Sequence, residues 1–324
     1  MNLSVLVTFL LTAGLLCALL SPRVAARLLD QPNERSLHAS PVPRTGGLAI
    51  LPALTVGLLL AGADRLLVAL GLALMLLSLL DDWRRLPAGW RLLGHLAAAA
   101  VFTWATFTDA GWIELAVLIL AVGWMINLYN FMDGADGLAG GMTVVGFCTY
   151  AAAAGLVGDQ NFALANLCVA AAAAAFLTLN FPPARMFMGD AGSVPLGFLA
   201  AAFGLIGWRD GLWAIWFPLV VFGPFVVDAS ITLVRRVLRG ERVWTAHRSH
   251  YYQRLILMGW SHRRLALAEY GLMLLSSAAA LAALNRSATA QVLTLGSLLV
   301  VYFLACCTVD HRWQLWRRGS PKQK

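Results

Sequence analysis

The chain has 324 residues, of which 60% are hydrophobic and only 12% charged, with a mean hydropathy of +0.74. Soluble domains run at about 45–50% apolar and about 25% charged, so this chain has too little polar surface to cover a water-soluble core and reads as a polytopic membrane protein. Its formal charge of +8 and pI of about 9.7 then point to basic residues flanking membrane helices and not to nucleic acid.

Taken in chain order, Met1–Leu20 is apolar without a basic leading segment, and Ser21-Pro22-Arg23 lacks a small-x-small pattern. A retained first helix is expected there, not a cleaved signal. A bilayer core takes about 20 apolar residues per helix. Eleven stretches are predicted to qualify: Leu3–Leu20, Gly46–Ala61, Leu66–Leu80, Leu92–Phe107, Ile113–Tyr129, Leu138–Val157, Phe162–Leu179, Ser193–Trp208, Leu212–Val234, Leu265–Leu284 and Ala288–Val309. The second, third and fourth are short, and merging two of them would leave ten. The expected architecture is all-α, a single polytopic membrane domain over 1–324 with a long basic loop over 235–264. Alanine runs at 97–100 and 170–175 suit close helix packing in lipid. Cys17, Cys148, Cys168, Cys306 and Cys307 lie in apolar stretches without metal-ligand spacing and read as packing residues.

With eleven spans the connections alternate sides, and all 24 Lys and Arg fall on one side except Arg65, Arg209 and Arg286. The excess of positive charge on cytoplasmic loops then sets the N-terminus outside and the C-terminus in the cytoplasm.

Four polar clusters fall on that cytoplasmic side. Asp81-Asp82 follows the third apolar run. Next comes Asn127-Leu-Tyr-Asn130-Phe-Met-Asp133-Gly134-Ala-Asp136-Gly137, whose polar residues recur every third position; a continuing helix would set them on nearly one face. After Pro182-Pro183, Phe187-Met-Gly-Asp190-Ala-Gly-Ser193 precedes the eighth span, with Ser193 as the expected N-cap and Pro195 in the first turn. The 235–264 loop carries His247-Arg248-Ser-His250 and, further on, His262. Carboxylate and amide oxygens without thiolates describe a hard-cation site, and magnesium is commonly held by a few protein oxygens and completed by substrate phosphates. Arginine and histidine beside it supply charge for those phosphates. The inventory points to phosphoryl transfer at the membrane surface. Asp228 is the one acid set deep in an apolar span, where insertion costs about 2.5–3.5 kcal/mol; Arg235, two turns on, is its expected ion-pair or polar-network partner.

These motifs resemble the polyprenyl-phosphate N-acetylhexosamine-1-phosphate transferases, which include the enzymes that start O-antigen synthesis and the phospho-MurNAc-pentapeptide translocase. The resemblance runs from Pro32 to His262: Pro32-Asn-Glu-Arg35-Ser-Leu-His38, Pro41-Val-Pro43-Arg44-Thr-Gly46-Gly47, Asp81-Asp82, then the Asn127–Gly137 and Phe187–Ser193 motifs, in the family's order. It implies magnesium, with manganese able to substitute, on Asp190 with Asn130 as second contributor. It implies that Asp81 and Asp82 act on the lipid phosphate and that Asp136, Gly134 and Phe187 line a uridine pocket, with Asn127 and Asp133 also contacting substrate. His247, Arg248 and His250 would engage the diphosphate or sugar. Several relatives carry a His-x-His-His run; aligned on Arg254-Leu255, Tyr252 and Gln253 take its later histidines and only His250 matches. The His-Arg-Ser-His form resembles the branch that starts O-antigen chains with GlcNAc or a 6-deoxy amino sugar such as FucNAc or QuiNAc. The implied partners are undecaprenyl phosphate, a UDP-sugar and a second copy of the chain, in the bacterial inner membrane.

Two other classes share part of this inventory. A cation- or proton-coupled transporter sets its acids near the midplane on broken helices, often in repeated halves, whereas here only Asp228 is deep. An aspartate-rich membrane prenyltransferase also uses magnesium and diphosphate, and dependence on a UDP-sugar separates it.

Overall fold

The computed structural model describes residues 2–21, 29–30, 41–242, 245 and 247–319. The Pro32–His38 motif and Arg23, Arg27, Lys322 and Lys324 lie outside the described residues. Among those described are α1 (Leu3–Leu19), α2 (Gly46–Leu60), α3 (Arg65–Arg84), α4 (Ala88–Thr106), α5 (Trp112–Phe131), α6 (Leu138–Leu156) and α7 (Gln160–Asn180). They continue with α8 (Asp190–Arg209), α9 (Trp216–Val221), α10 (Gly223–Leu238), α11 (Tyr251–Leu257), α12 (His262–Ala283) and α13 (Ala288–Gly319). One two-residue antiparallel pair, β1 (Leu29–Asp30) with β2 (Val42–Pro43), sets Leu29 against Pro43. The protein is an all-α polytopic membrane protein. Each predicted apolar stretch but the ninth forms one helix, and among the described residues seven helices (α3, α5, α6, α7, α8, α12 and α13) are long and apolar enough to cross a bilayer.

The core forms around α8, which packs against α2, α3, α5 and α6 and is buried along most of its length. Small residues make that possible: Gly197 and Gly204 leave room for Tyr129 and Tyr150 to lie against the helix backbone. The alanine-rich faces of α6 and α7 pack on each other in the same way. At the periphery, α13 buries only Leu298 and Tyr302, and many of its other apolar side chains, such as Leu293, Leu299 and Phe303, are exposed.

Four expectations are corrected. The ninth stretch is not one helix: it breaks at Phe222 into α9 and α10, because Pro224 lacks an N–H and crowds the preceding turn. Ser193 is not an N-cap, since α8 begins three residues earlier at Asp190 after Gly189, and Pro195 therefore sits in the second turn. The Asn127–Asp136 series is not one continuous helical face: α5 ends at Phe131, so Asp133 and Asp136 lie on a turn. The 235–264 loop is also shorter than its predicted bounds, since α10 runs through Leu238, α11 lies inside it and α12 starts at His262.

Candidate active site

The site is assembled by a backbone contact between two distant segments. Gly46 and Gly47 N–H donate to the carbonyls of Phe187 and Met188, each at 2.9 Å, and Phe187 N–H donates to Pro43 O at 2.8 Å. Gly47 lies flush on the backbone of Ala191 and Gly192, where any Cβ would collide. Gly189 takes a φ of 73°, a conformation that glycine adopts without strain. That turn aims the Gly189 N–H at the Asp133 carboxyl and sets Asp190 as the first residue of α8.

Arg44 is brought over this turn. Its guanidinium contacts Asp190 and lies 3.9 Å from Asp82. The charges of Asp190, Asp82, Asp133 and Asp30 all favour its protonated form, Asp190 most. Burial, reinforced by the charge of Asp190, pushes the Asp133 carboxyl up to about 8, against the pull of Arg44 and of the Gly189 N–H. Asn130, the penultimate residue of α5, accepts from the Ser193 hydroxyl at 2.8 Å and so reaches the same helix start.

This donor set suits a hard divalent ion. All its donors are oxygens, and a cationic group already sits among the carboxylates. Among the described residues no three acid, His or Cys side chains stand grouped tightly enough to cage a metal alone.

The adjacent acids Asp81 and Asp82 face different partners. Asp81, with 12% of its side chain exposed, accepts from the Leu86 N–H at 2.8 Å and pairs with Arg91 at 3.0 Å. It thereby holds the α3–α4 joint, where Arg85 adopts a left-handed φ of 51°. Asp82, 46% exposed, faces Arg44. Asn127 turns toward α4: its amide donates to Gly123 O at 2.7 Å and its oxygen lies 3.3 Å from Nδ1 of His95.

A second group lies beside the acids. Asp136 accepts the Ala184 N–H at 3.0 Å and stands 3.1 Å from Nδ1 of His262. Asn180 bridges the two motif loops: its oxygen accepts the Gly137 N–H and its amide donates to Met186 O, both at 2.9 Å. The Tyr270 hydroxyl donates to Gly137 O at 2.7 Å. Phe187 is half-buried at the edge of this group.

The basic loop is tied to the same end of the bundle by α11. Tyr252 donates its hydroxyl to Phe131 O at 2.9 Å and covers Gly134. His250 is buried; its ring lies 6.1 Å from Phe131 and 4.9 Å from His247. Arg248 is exposed. Asp228 accepts the N–H groups of Tyr251 and Tyr252, at 2.9 and 3.0 Å, and contacts His250. Arg235 is not its partner, contrary to expectation: Arg235 pairs with Asp310 at 2.6 Å, as Arg254 does at 2.9 Å.

Asp82, Asp133, Asp190 and Asn130 are thus drawn together, whereas Asp81 and Asn127 are turned to structural partners. Sequence reasoning passed over Arg44, His95, Asn180, Tyr252 and His262 as site-building residues. Arg44 lay inside a recognised motif and read only as loop charge; Asn180, just before Pro182-Pro183, gave no signal.

Residues 65–207 match glycosyl transferase family 4. The chain is 31% identical over 270 residues to a probable undecaprenyl-phosphate N-acetylglucosaminyl 1-phosphate transferase of Bacillus subtilis, covering 76% of this chain and 75% of that one. It is 32% identical over 303 residues to a decaprenyl-phosphate N-acetylglucosaminephosphotransferase of Mycobacterium tuberculosis, covering 76% and 74%. A phospho-N-acetylmuramoyl-pentapeptide-transferase of a Synechococcus species is 31% identical over 316 residues, covering 82% and 85%. The family match takes in Asp81-Asp82, Asn127–Gly137 and Phe187–Ser193, and with relatives of this identity and coverage the chain belongs to the polyprenyl-phosphate N-acetylhexosamine-1-phosphate transferases of glycosyl transferase family 4.

Proposed function

We propose that the protein transfers an N-acetylhexosamine-1-phosphate from a UDP-sugar to undecaprenyl phosphate, releasing UMP, at the inner face of the bacterial cytoplasmic membrane. The observation that carries this reading is the gathering of Asp82, Asp133 and Asp190 about one guanidinium at a helix-bundle end. The product, undecaprenyl-diphospho-sugar, is the first lipid-linked intermediate of O-antigen or a related polysaccharide. GlcNAc is the favoured sugar, since the Bacillus and Mycobacterium relatives are named for it; a 6-deoxy N-acetylhexosamine is the other donor to test.

An oxygen of the lipid phosphate attacks the β-phosphorus of the donor. The bond from that phosphorus to the bridging oxygen breaks, and UMP leaves with the bridging oxygen. A phosphate monoester has a second pKa near 6, so the nucleophile is already largely anionic at neutral pH and needs orientation more than deprotonation. Asp82 serves that role better than Asp81, whose carboxylate is taken up by Leu86 and Arg91. Asp190 and Asn130 would hold Mg2+, with Mn2+ as substitute. When bound, the ion supplies positive charge that offsets repulsion between the two phosphorylated reactants. Asp136, Gly134 and Phe187 bind the uridine, and His247, Arg248 and His250 hold the diphosphate or sugar. The loop charges support a cytoplasmic site, with the N-terminus outside.

The test is incubation of purified protein with radiolabelled UDP-sugars and undecaprenyl phosphate, followed by butanol extraction. Label enters the butanol phase with UDP-GlcNAc or a 6-deoxy analogue, EDTA abolishes it, and Mg2+ restores it. Folded protein that labels no lipid from any UDP-N-acetylhexosamine overturns the reading.

A further inference from the structure

We propose that Arg44 is the resident cation of the acid cluster, holding Asp82 and Asp190 together until a divalent ion arrives and then moving to a reactant phosphate. This rests on the magnesium reading above.

The geometry sets up a competition for one place. The guanidinium contacts Asp190, lies 3.9 Å from Asp82 and is within the field of Asp133. A divalent ion drawn to Asp190 meets a positive charge already there, and like charges at such separations repel. The Arg44 backbone is fixed, because Gly46, Gly47 and Pro43 hydrogen-bond the Phe187–Met188 segment on either side of it. The side chain is held by its ion pairs and by contact with Gly189, where no side chain stands in its way, and 36% of it is exposed. Displacement is therefore a rotation of a long side chain about a fixed Cα. Once released, a planar guanidinium is well suited to take two phosphate oxygens at once. The same side chain thus neutralises the acids in the metal-free enzyme and meets a phosphate in the loaded one.

The test uses the full-length protein in detergent, without substrates, with Mn2+ followed by electron paramagnetic resonance. Removing the competing cation in Arg44→Ala tightens Mn2+ binding by about tenfold, the scale of a typical coupling between two sites. In EDTA the same variant melts below wild type, and saturating Mn2+ closes the gap. Arg44→Gln, which keeps length without charge, gives the same two readings should the alanine variant fail to accumulate. Mn2+ binding that needs Asp190 but is unchanged or weakened by both substitutions overturns this proposal alone. Mn2+ binding that ignores Asp190→Ala removes the metal reading and this proposal with it.

Discussion

The Asp228 carboxylate lies 3.1 Å from Nδ1 of His250 while accepting the backbone N–H groups of the next two residues, Tyr251 and Tyr252. One buried acid on α10 thereby fixes both the start of α11 and the ring that the loop presents. Nδ1 is committed to Asp228, which fixes the orientation of the ring.

Asp228→Ala leaves those donors buried without an acceptor, at roughly 1–3 kcal/mol for each one orphaned. Thermal unfolding should fall by several degrees and turnover by at least about tenfold. Asp228→Asn keeps one acceptor oxygen and should fall between. An alanine variant with wild-type melting would show that α11 is held by something else.

Asp190→Asn removes the carboxylate charge at the start of α8 while keeping the size of the side chain. Turnover should drop by roughly a hundredfold or more, the worth of several kcal/mol of charge stabilisation, and folded protein should still accumulate. Wild-type rates from that variant, at any Mg2+ concentration, would dismiss Asp190 as a metal ligand.

The two neighbouring aspartates should separate. Asp82→Asn is expected to lower kcat by about tenfold or more with little change in melting, because its side chain is nearly half exposed. Asp81→Asn weakens the partner of Arg91 and the brace at Leu86, so melting falls, by about 1 kcal/mol or less given the exposure of Arg91. The reverse pattern, with Asp81 controlling kcat and Asp82 controlling stability, would contradict the assignment.

Asn180→Ala cuts the bridge between Gly137 and Met186 and orphans two buried backbone groups, at roughly 1–3 kcal/mol each. Because the bridge joins the loops assigned to uridine, KM for the UDP-sugar should rise several-fold while KM for the lipid phosphate changes less. Equal effects on both substrates would detach Asn180 from the donor pocket.

The membrane class and the positions of most apolar helices were legible in the sequence because hydropathy is a local property: a run of apolar residues must leave water wherever it later packs. The motifs were legible for a related reason, since closely spaced polar residues and glycines at apolar span ends need no tertiary partner to be noticed. Only the tertiary structure decided which acid faces which cation. Arg44 and Asp190 are 146 residues apart, Asp136 and His262 are 126 apart, and the choice of Asp310 over Asp228 as the partner of Arg235 depends on where α13 packs. Such pairings follow from how helices lie against one another, and a linear spacing carries no record of that.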